Sequence, residues 1–306
     1  MRKFSQSMKE RTEHMSRDAK EKNTKLEVMV FTDPYCSWCW ATEPMILTMM
    51  EKYRAQVHFH YVFGGLIKDF DDFYDAQNDI RDAAATKPHW KMVSERTGQP
   101  IDENLWEDIA PIGHFSTWPA NIAAKAAFLQ SEKTGFRYLR RLRHAALTER
   151  KIISEKAVYE DLAKETAGLN FDKFCRDIES GKAKEAFLED QEVCSQWQTF
   201  GFPTMLFYKV GADVNHLTRN DAVYVGGHRP METYEQVIHA LCPEIEEYSV
   251  REEKQLLNAY GPMTERELAQ IHGRSKDEEL AVLSDLEKAG SVSRSKRTRG
   301  NIWTAA

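Results

Sequence analysis

The sequence predicts an α/β protein whose small sheet is split by a long helical insert and followed by a separate C-terminal module. Three observations lead there. Short apolar runs at 26–32, 57–63, 201–208 and 222–225 have strand composition, rich in Val, Phe and Tyr. Between about residues 71 and 198 the chain changes to amphipathic stretches of Ala, Leu, Glu and Lys, residues that lose little on entering a helix. Past Pro243 the pattern restarts as helix, helix and hairpin, the order of a winged-helix-like module.

Taken in order, residues 1–24 form a polar N-terminal arm, and 26–32 (LEVMVFT) reads as a buried strand ended by Asp33-Pro34. A helix is expected over 37–54, kinked at Pro44, where a backbone donor is missing. A second strand, 57–63, alternates Val57, Phe59, Tyr61 and Phe63 with His58, His60 and Val62 and stops at Gly64-Gly65. Helices are expected at 121–131, 136–148, 154–166 and 181–199, with a loop over 109–119; strands return at 201–208 and 222–225, and a helix covers 233–241. The expected units are the arm, a body over 25–243 containing the insert, and the module over 244–306.

With 306 residues, 42% hydrophobic and 29% charged, the chain can bury a sizeable core. A net charge of -6, from 42 Lys+Arg against 48 Asp+Glu, supplies no global basic field for nucleic acid. The N-terminal segment lacks the apolar stretch of a secretory signal, and no run approaches the roughly 18 apolar residues of a membrane helix. The expectation is a soluble cytoplasmic protein with no membrane partner. In that compartment the five cysteines do not build a structural disulfide framework.

The stretch FTDPYCSWCWATEP carries the chemistry. Cys36 falls at a strand-to-helix junction, where unpaired N–H groups and the helix dipole favour a thiolate, so its pKa is expected to fall. Cys39 lies one turn later on the same face, placed to resolve a mixed disulfide. Ser37 and Trp38 between them tune the pair, and Trp38 offers apolar surface for gripping a partner. A zinc site would need a second cluster of ligands, and no other C-x-x-C, C-x-x-H or H-x(3–5)-H spacing occurs. Far away, GFPTMLFY places Phe202-Pro203-Thr204 at a strand start; proline there has no ladder donor, an X–Pro bond can be cis, and the Phe202 backbone is offered to an extended substrate.

These residues resemble the thioredoxin superfamily, and the long insert is similar to its DsbA branch, over roughly 25–243. CSWCW resembles the FrnE-like proteins, with Ser37 in place of their proline, and Pro44 stands where thioredoxins carry a helix proline. The resemblance implies a thiol–disulfide oxidoreductase acting on protein or small-molecule disulfides through Cys36, Cys39 and Pro203, without metal or organic cofactor. The acid that thioredoxins bury beneath their thiols would fall near Val30, which cannot transfer protons; Glu43 is the nearest substitute, expected as a solvated helix carboxylate. DPYCSWCWATEP, IAAKAAFLQSEKTGFRYLRRL and the terminal RGNIWTAA also resemble the YjbH type of DsbA-like protein, which implies the alternative of an adaptor presenting a Spx-like regulator to the ClpXP protease.

Other features read more plainly. The candidate recognition helix SKDEELAVLSDLEK is acidic and would repel phosphate, which argues against DNA as a partner. The basic hairpin residues Arg294, Lys296, Arg297 and Arg299 are expected in solvent. His58 and His60 share a strand face, with no third ligand in view. Cys175, Cys194 and Cys242 are expected as small buried hydrophobes. The Trp118-Pro119 loop and Gly64-Gly65 are candidate walls of the thiol groove.

Overall fold

The computed structural model describes residues 23–76, 78–199, 201–212, 217 and 221–306. The expected arm, 1–24, lies outside them apart from Asn23 and Thr24. Strands β1 (Leu26–Thr32), β2 (Val57–Phe63), β3 (Thr204–Lys209) and β4 (Ala222–Gly226) form one sheet in the order β2-β1-β3-β4. β1 and β2 run parallel, while β3 is antiparallel to β1 and β4. The β1–β2 crossover is helix α1 (Ser37–Tyr53).

Among the described residues seven α-helices stand between β2 and β3: α2 (Ala83–Thr97), α3 (Leu105–Ile109), α4 (Trp118–Phe128), α5 (Glu132–Glu149), α6 (Lys156–Glu165), α7 (Phe171–Glu179) and α8 (Lys182–Gln196). The expected loop at 109–119 contains the end of α3, a turn of 3₁₀ helix and the start of α4. Helix α9 (Met231–Leu241) follows β4. The strands separate two apolar faces by their period of two: Val28, Val30, Phe59, Tyr61 and Phe207 enter the large core, whereas Met29, Phe31, Val62, Leu206 and Tyr208 pack with Val193 and Cys194 of α8.

Pro44 does not end α1. The carbonyl of Trp40, which would accept the missing N–H, instead accepts from Gln99 Nε2 at 3.3 Å, and Gln99 Oε1 in turn accepts from Thr264 Oγ1 at 2.7 Å. A helix-breaking residue is thereby tied to the C-terminal module.

That module contains α10 (Glu253–Tyr260), β5 (Met263–Thr264), α11 (Glu265–His272), α12 (Lys276–Lys288), β6 (Val292–Arg297) and β7 (Gly300–Ala305). Its sheet has the order β5-β7-β6. Helix α10 and strand β5 go beyond the helix, helix and hairpin expected from sequence. Leu256, Leu257, Met263, Leu268, Ile271, Leu283, Val292 and Trp303 form its core, and Leu47 of α1 inserts into the same cluster with no exposed surface. Arg294 and Lys296 of the hairpin are exposed as expected, but Arg297 and Arg299 are half-buried. Arg299 pairs with Glu103, Arg297 Nη2 lies 3.4 Å from Glu149, and Thr298 donates to Asp102 at 2.6 Å, because the hairpin folds back on the insert. Among the described residues no helix is long and apolar enough to cross a membrane.

Leu47 therefore belongs to the body by sequence and to the module by packing. Leu47→Ala should lower unfolding free energy in urea by about 2–5 kcal/mol, the range for a buried leucine that leaves a cavity. A loss below about 0.5 kcal/mol, the surface-substitution range, would contradict this packing.

Candidate functional site: a buried dithiol facing a cis-proline

The loop carrying the thiols is set by Asp33. Its fully buried carboxylate accepts from Tyr35 N at 2.8 Å, Leu66 N at 2.7 Å, Thr117 Oγ1 at 2.8 Å and Asn121 Nδ2 at 2.7 Å. The end of β1, the turn after β2 and the start of α4 are thus held by one side chain. Burial nevertheless pushes its pKa up, with the four hydrogen bonds opposing.

Cys36 caps α1. Its Sγ accepts the Cys39 N–H at 3.2 Å, and its carbonyl accepts the Trp40 N–H at 3.1 Å. The same Sγ lies 3.5 Å from the carbonyl oxygen of Phe202. The Phe202–Pro203 peptide bond is cis. Cys36 is 5% exposed and Cys39 1%, so the outer thiol is the N-terminal one, and all five cysteines are free.

The ionisation of the pair differs from the expectation for Cys36 alone. Burial pushes Cys36 well up, reinforced by hydrogen bonding to Cys39 and by its charge. Burial also opposes ionisation of Cys39, but hydrogen bonding from Cys36, the Arg143 guanidinium, the Thr32 hydroxyl and the Asp33 backbone N–H outweigh it and hold that thiol below its ordinary value. Of the two sulfurs, the inner one is therefore the one whose surroundings favour the anion. Sequence reasoning credited the helix end to Cys36 and could not see a cation, Arg143, arriving from a helix distant in the chain.

That cation is the chief residue sequence reasoning missed. Arg143, with no exposed surface, donates from Nη2 to Thr32 Oγ1 at 2.5 Å and from Nη1 to Glu43 Oε2. Glu43 also accepts from Arg140 Nη1 at 3.1 Å, and the same Nη1 reaches Glu267 Oε1 at 2.8 Å. Glu43 is therefore a buried carboxylate, contrary to its expected solvated place, because α5 delivers two arginines to the back of α1. The only visible signal was the run RYLRRLRH, whose arginines at 140 and 143 share a helix face with Leu139, Leu142 and Ala146.

The other expected contacts divide by burial. Trp38 and Phe202 are half-buried and border the thiols; the Trp38 ring lies 5.8 Å from that of His228 and 6.3 Å from that of His89. Ser37 and Thr204 are buried, Ser37 at the first turn of α1 and Thr204 with its hydroxyl on Gly201 O at 2.8 Å, which leaves both little surface for a substrate. Pro203 is buried, and its carbonyl accepts from Gly227 N at 2.8 Å. Gly64-Gly65 does border the site: a Cβ at Gly64 would stand 1.8 Å from the Phe202 ring, and Trp118 Nε1 donates to Gly65 O at 3.3 Å.

A family model described as Thioredoxin matches residues 29–236, more than half of the chain. The chain belongs to the thioredoxin family. Among curated proteins it is similar to the ClpXP adapter protein SpxH of Halalkalibacterium halodurans, 28% identical over 72% of this chain and 69% of that protein. It is also similar to the protein of that name from Bacillus subtilis, 24% identical over 91% of this chain and 88% of that one. Among solved structures, a putative protein disulfide isomerase from Nitrosomonas europaea superposes with a TM-score of 0.57 at 22% identity, over 72% of this chain and 98% of that one. The cytosolic disulfide reductase DsbM from Pseudomonas aeruginosa gives 0.50 at 17% identity, over 71% and 93%. These structural likenesses establish a DsbA-like thioredoxin fold.

Gly64 has its place because the Phe202 ring occupies the space of a side chain. Gly64→Ala should cost about 1–3 kcal/mol by overpacking, and Phe202→Leu in the same chain should recover part of that loss. Strictly additive effects in denaturant unfolding would contradict the contact.

Proposed function

We propose that the chain is a cytoplasmic thiol–disulfide oxidoreductase of DsbA/FrnE-like type that reduces or isomerises disulfides of a protein or small-molecule partner. The observation carrying this reading is the placement of Cys36 Sγ at a helix start, 3.5 Å from the carbonyl that precedes Pro203. Cys36, the outer sulfur, attacks one sulfur of the partner disulfide as its proton passes to Cys39; the partner's second sulfur leaves and takes up a proton. Cys39, returned to the thiolate by Arg143 and Thr32, then attacks Cys36 Sγ, breaks the mixed disulfide and releases the second partner thiol. Two electrons have moved from the dithiol to the partner, and an external thiol restores Cys36 and Cys39. No metal or organic cofactor enters these steps. Phe202 and Trp38 border the incoming segment, Pro203 shapes its approach, and buried Ser37 and Thr204 act on the pair only through the helix start and strand start they occupy.

A second reading is favoured by one observation. The similarity to the Bacillus subtilis SpxH extends over 91% of this chain, too much to omit the terminal module. On that reading the chain is an adaptor presenting a Spx-like regulator to ClpXP, with residues 25–243 as the thioredoxin-fold body and 244–306 as a winged-helix-like docking module. DNA is not the module's partner on either reading. α12 carries Asp277, Glu278, Glu279, Asp285 and Glu287, and the hairpin arginines are paired with Glu103, Glu149 and Glu287.

The two readings separate on the sulfurs. Wild type should reduce insulin disulfides; Cys36→Ser should abolish the activity, and Cys39→Ser should accumulate mixed disulfides with its partners. An inactive wild type, together with client degradation by ClpXP that survives Cys36→Ala/Cys39→Ala, would leave the adaptor alone.

A further inference from the structure

His58 and His60 project from β2, an edge strand, on the same face as Glu27 of the adjoining β1, and the register pairs Glu27 directly with His58. Sequence inspection found no third ligand for the histidines because Glu27 stands 31 residues earlier. The fold brings His58 Nδ1 to 3.0 Å from His60 Nε2, with Glu27 Oε2 at 3.2 Å from the first and 2.5 Å from the second. Three lone-pair donors from rigid strands thus converge on one point. At these separations the three atoms can be bridged either by protons or by one cation that takes a lone pair from each.

The opposite ring nitrogens are also held. Glu132, at the start of α5, lies 2.6 Å from His58 Nε2 through Oε2 and 2.9 Å from His60 Nδ1 through Oε1. A carboxylate on the outer nitrogen fixes ring direction and turns the inner nitrogen toward Glu27 and the other ring, the arrangement by which ligating histidines are ordinarily supported. The rings stand 4.3 Å apart and nearly perpendicular at 85°.

We propose that Glu27, His58 and His60 bind a divalent transition metal of zinc type, with Glu132 orienting both imidazoles from outside. Four-coordinate zinc at about 2.0–2.1 Å from each ligand spaces its ligands about 3.3 Å apart, so the donors need separate by only a few tenths of an ångström for two pairs and somewhat more for the third. Two imidazoles with one carboxylate select zinc, cobalt, nickel or copper over calcium and magnesium, which require oxygen ligands. His60 and Glu27 are nearly buried while His58 is 26% and Glu132 40% exposed, leaving a path for the ion and space for a water as fourth ligand. The site lies at the far end of β1 from Cys36, and its ion would clamp β1 and β2 to the start of α5 without entering thiol chemistry.

The test uses the full chain carrying Cys36→Ser and Cys39→Ser, stripped with chelator, titrated calorimetrically with Zn(II), and loaded in parallel with Co(II) for visible spectroscopy. One equivalent of Zn(II) should bind, and Co(II) should give a four-coordinate spectrum without thiolate charge-transfer bands. Glu27→Gln and His60→Gln should each weaken binding by tenfold or more, and Glu132→Gln by about 10–100-fold. Absence of stoichiometric binding, thiolate bands, or affinity unchanged in Glu27→Gln would overturn the proposal. Should His60→Gln fail to fold, Glu27→Gln, near-isosteric and on a central strand, decides alone.

Discussion

One carboxylate, Glu43, holds the two ends of the molecule to each other. It lies with no exposed surface between Arg143 and Arg140. Arg143 faces the thiols, and Arg140 faces Glu267 and donates from Nη2 to the Pro262 carbonyl at 2.6 Å. Taking such charges out of water costs several kcal/mol per ion, and only close pairing and added hydrogen bonds offset it. The arrangement therefore exists only if α1, α5 and α11 meet in this register. Glu267 has a second duty that sharpens the demand, since it also closes the capping box that starts α11 by accepting the Thr264 N–H at 2.9 Å.

The chemistry of the dithiol follows from the same pairing. A buried carboxylate beneath a resolving cysteine would work by taking a proton; on the thioredoxin resemblance that place falls near Val30, a buried aliphatic residue. A guanidinium beside Cys39 works by a different route, stabilising the anion electrostatically instead of receiving its proton. Glu43 keeps Arg143 from pointing elsewhere, and Thr32 relays its hydrogen bond toward the sulfur. On the other side, Asp33 locks the loop and Phe202 is pressed against Gly64, so the outer sulfur is framed by groups that have little freedom to move.

Much of the fold was legible because its signals are local. A short apolar run marks β1 and alternation marks β2 residue for residue, the C-x-x-C after β1 and the Phe202-Pro203 pair mark the site, and the amphipathic segments mark the insert. The short helix α3 and the two-residue strand β5 were not, since five and two residues carry too little periodicity to read. Charged contacts were the least legible. Glu43 read as solvated, Arg297 and Arg299 as solvent-facing and the two histidines as lacking a third ligand. In each case the partner lies far along the chain, on a helix or strand whose approach no local pattern states. Pro44 shows the same limit: the donor that replaces its missing N–H comes from Gln99, in a different segment.

The direct test of the Arg143 account is the ionisation of the dithiol with and without that cation. Thiolate absorbance would be followed against pH in a chain with Cys175, Cys194 and Cys242 replaced by alanine, comparing the parent with Arg143→Met and checking both folds by near-ultraviolet circular dichroism. Loss of the guanidinium should raise the pH at which the first thiolate forms by about 1–3 units. Superimposable titrations of two equally folded proteins would contradict it.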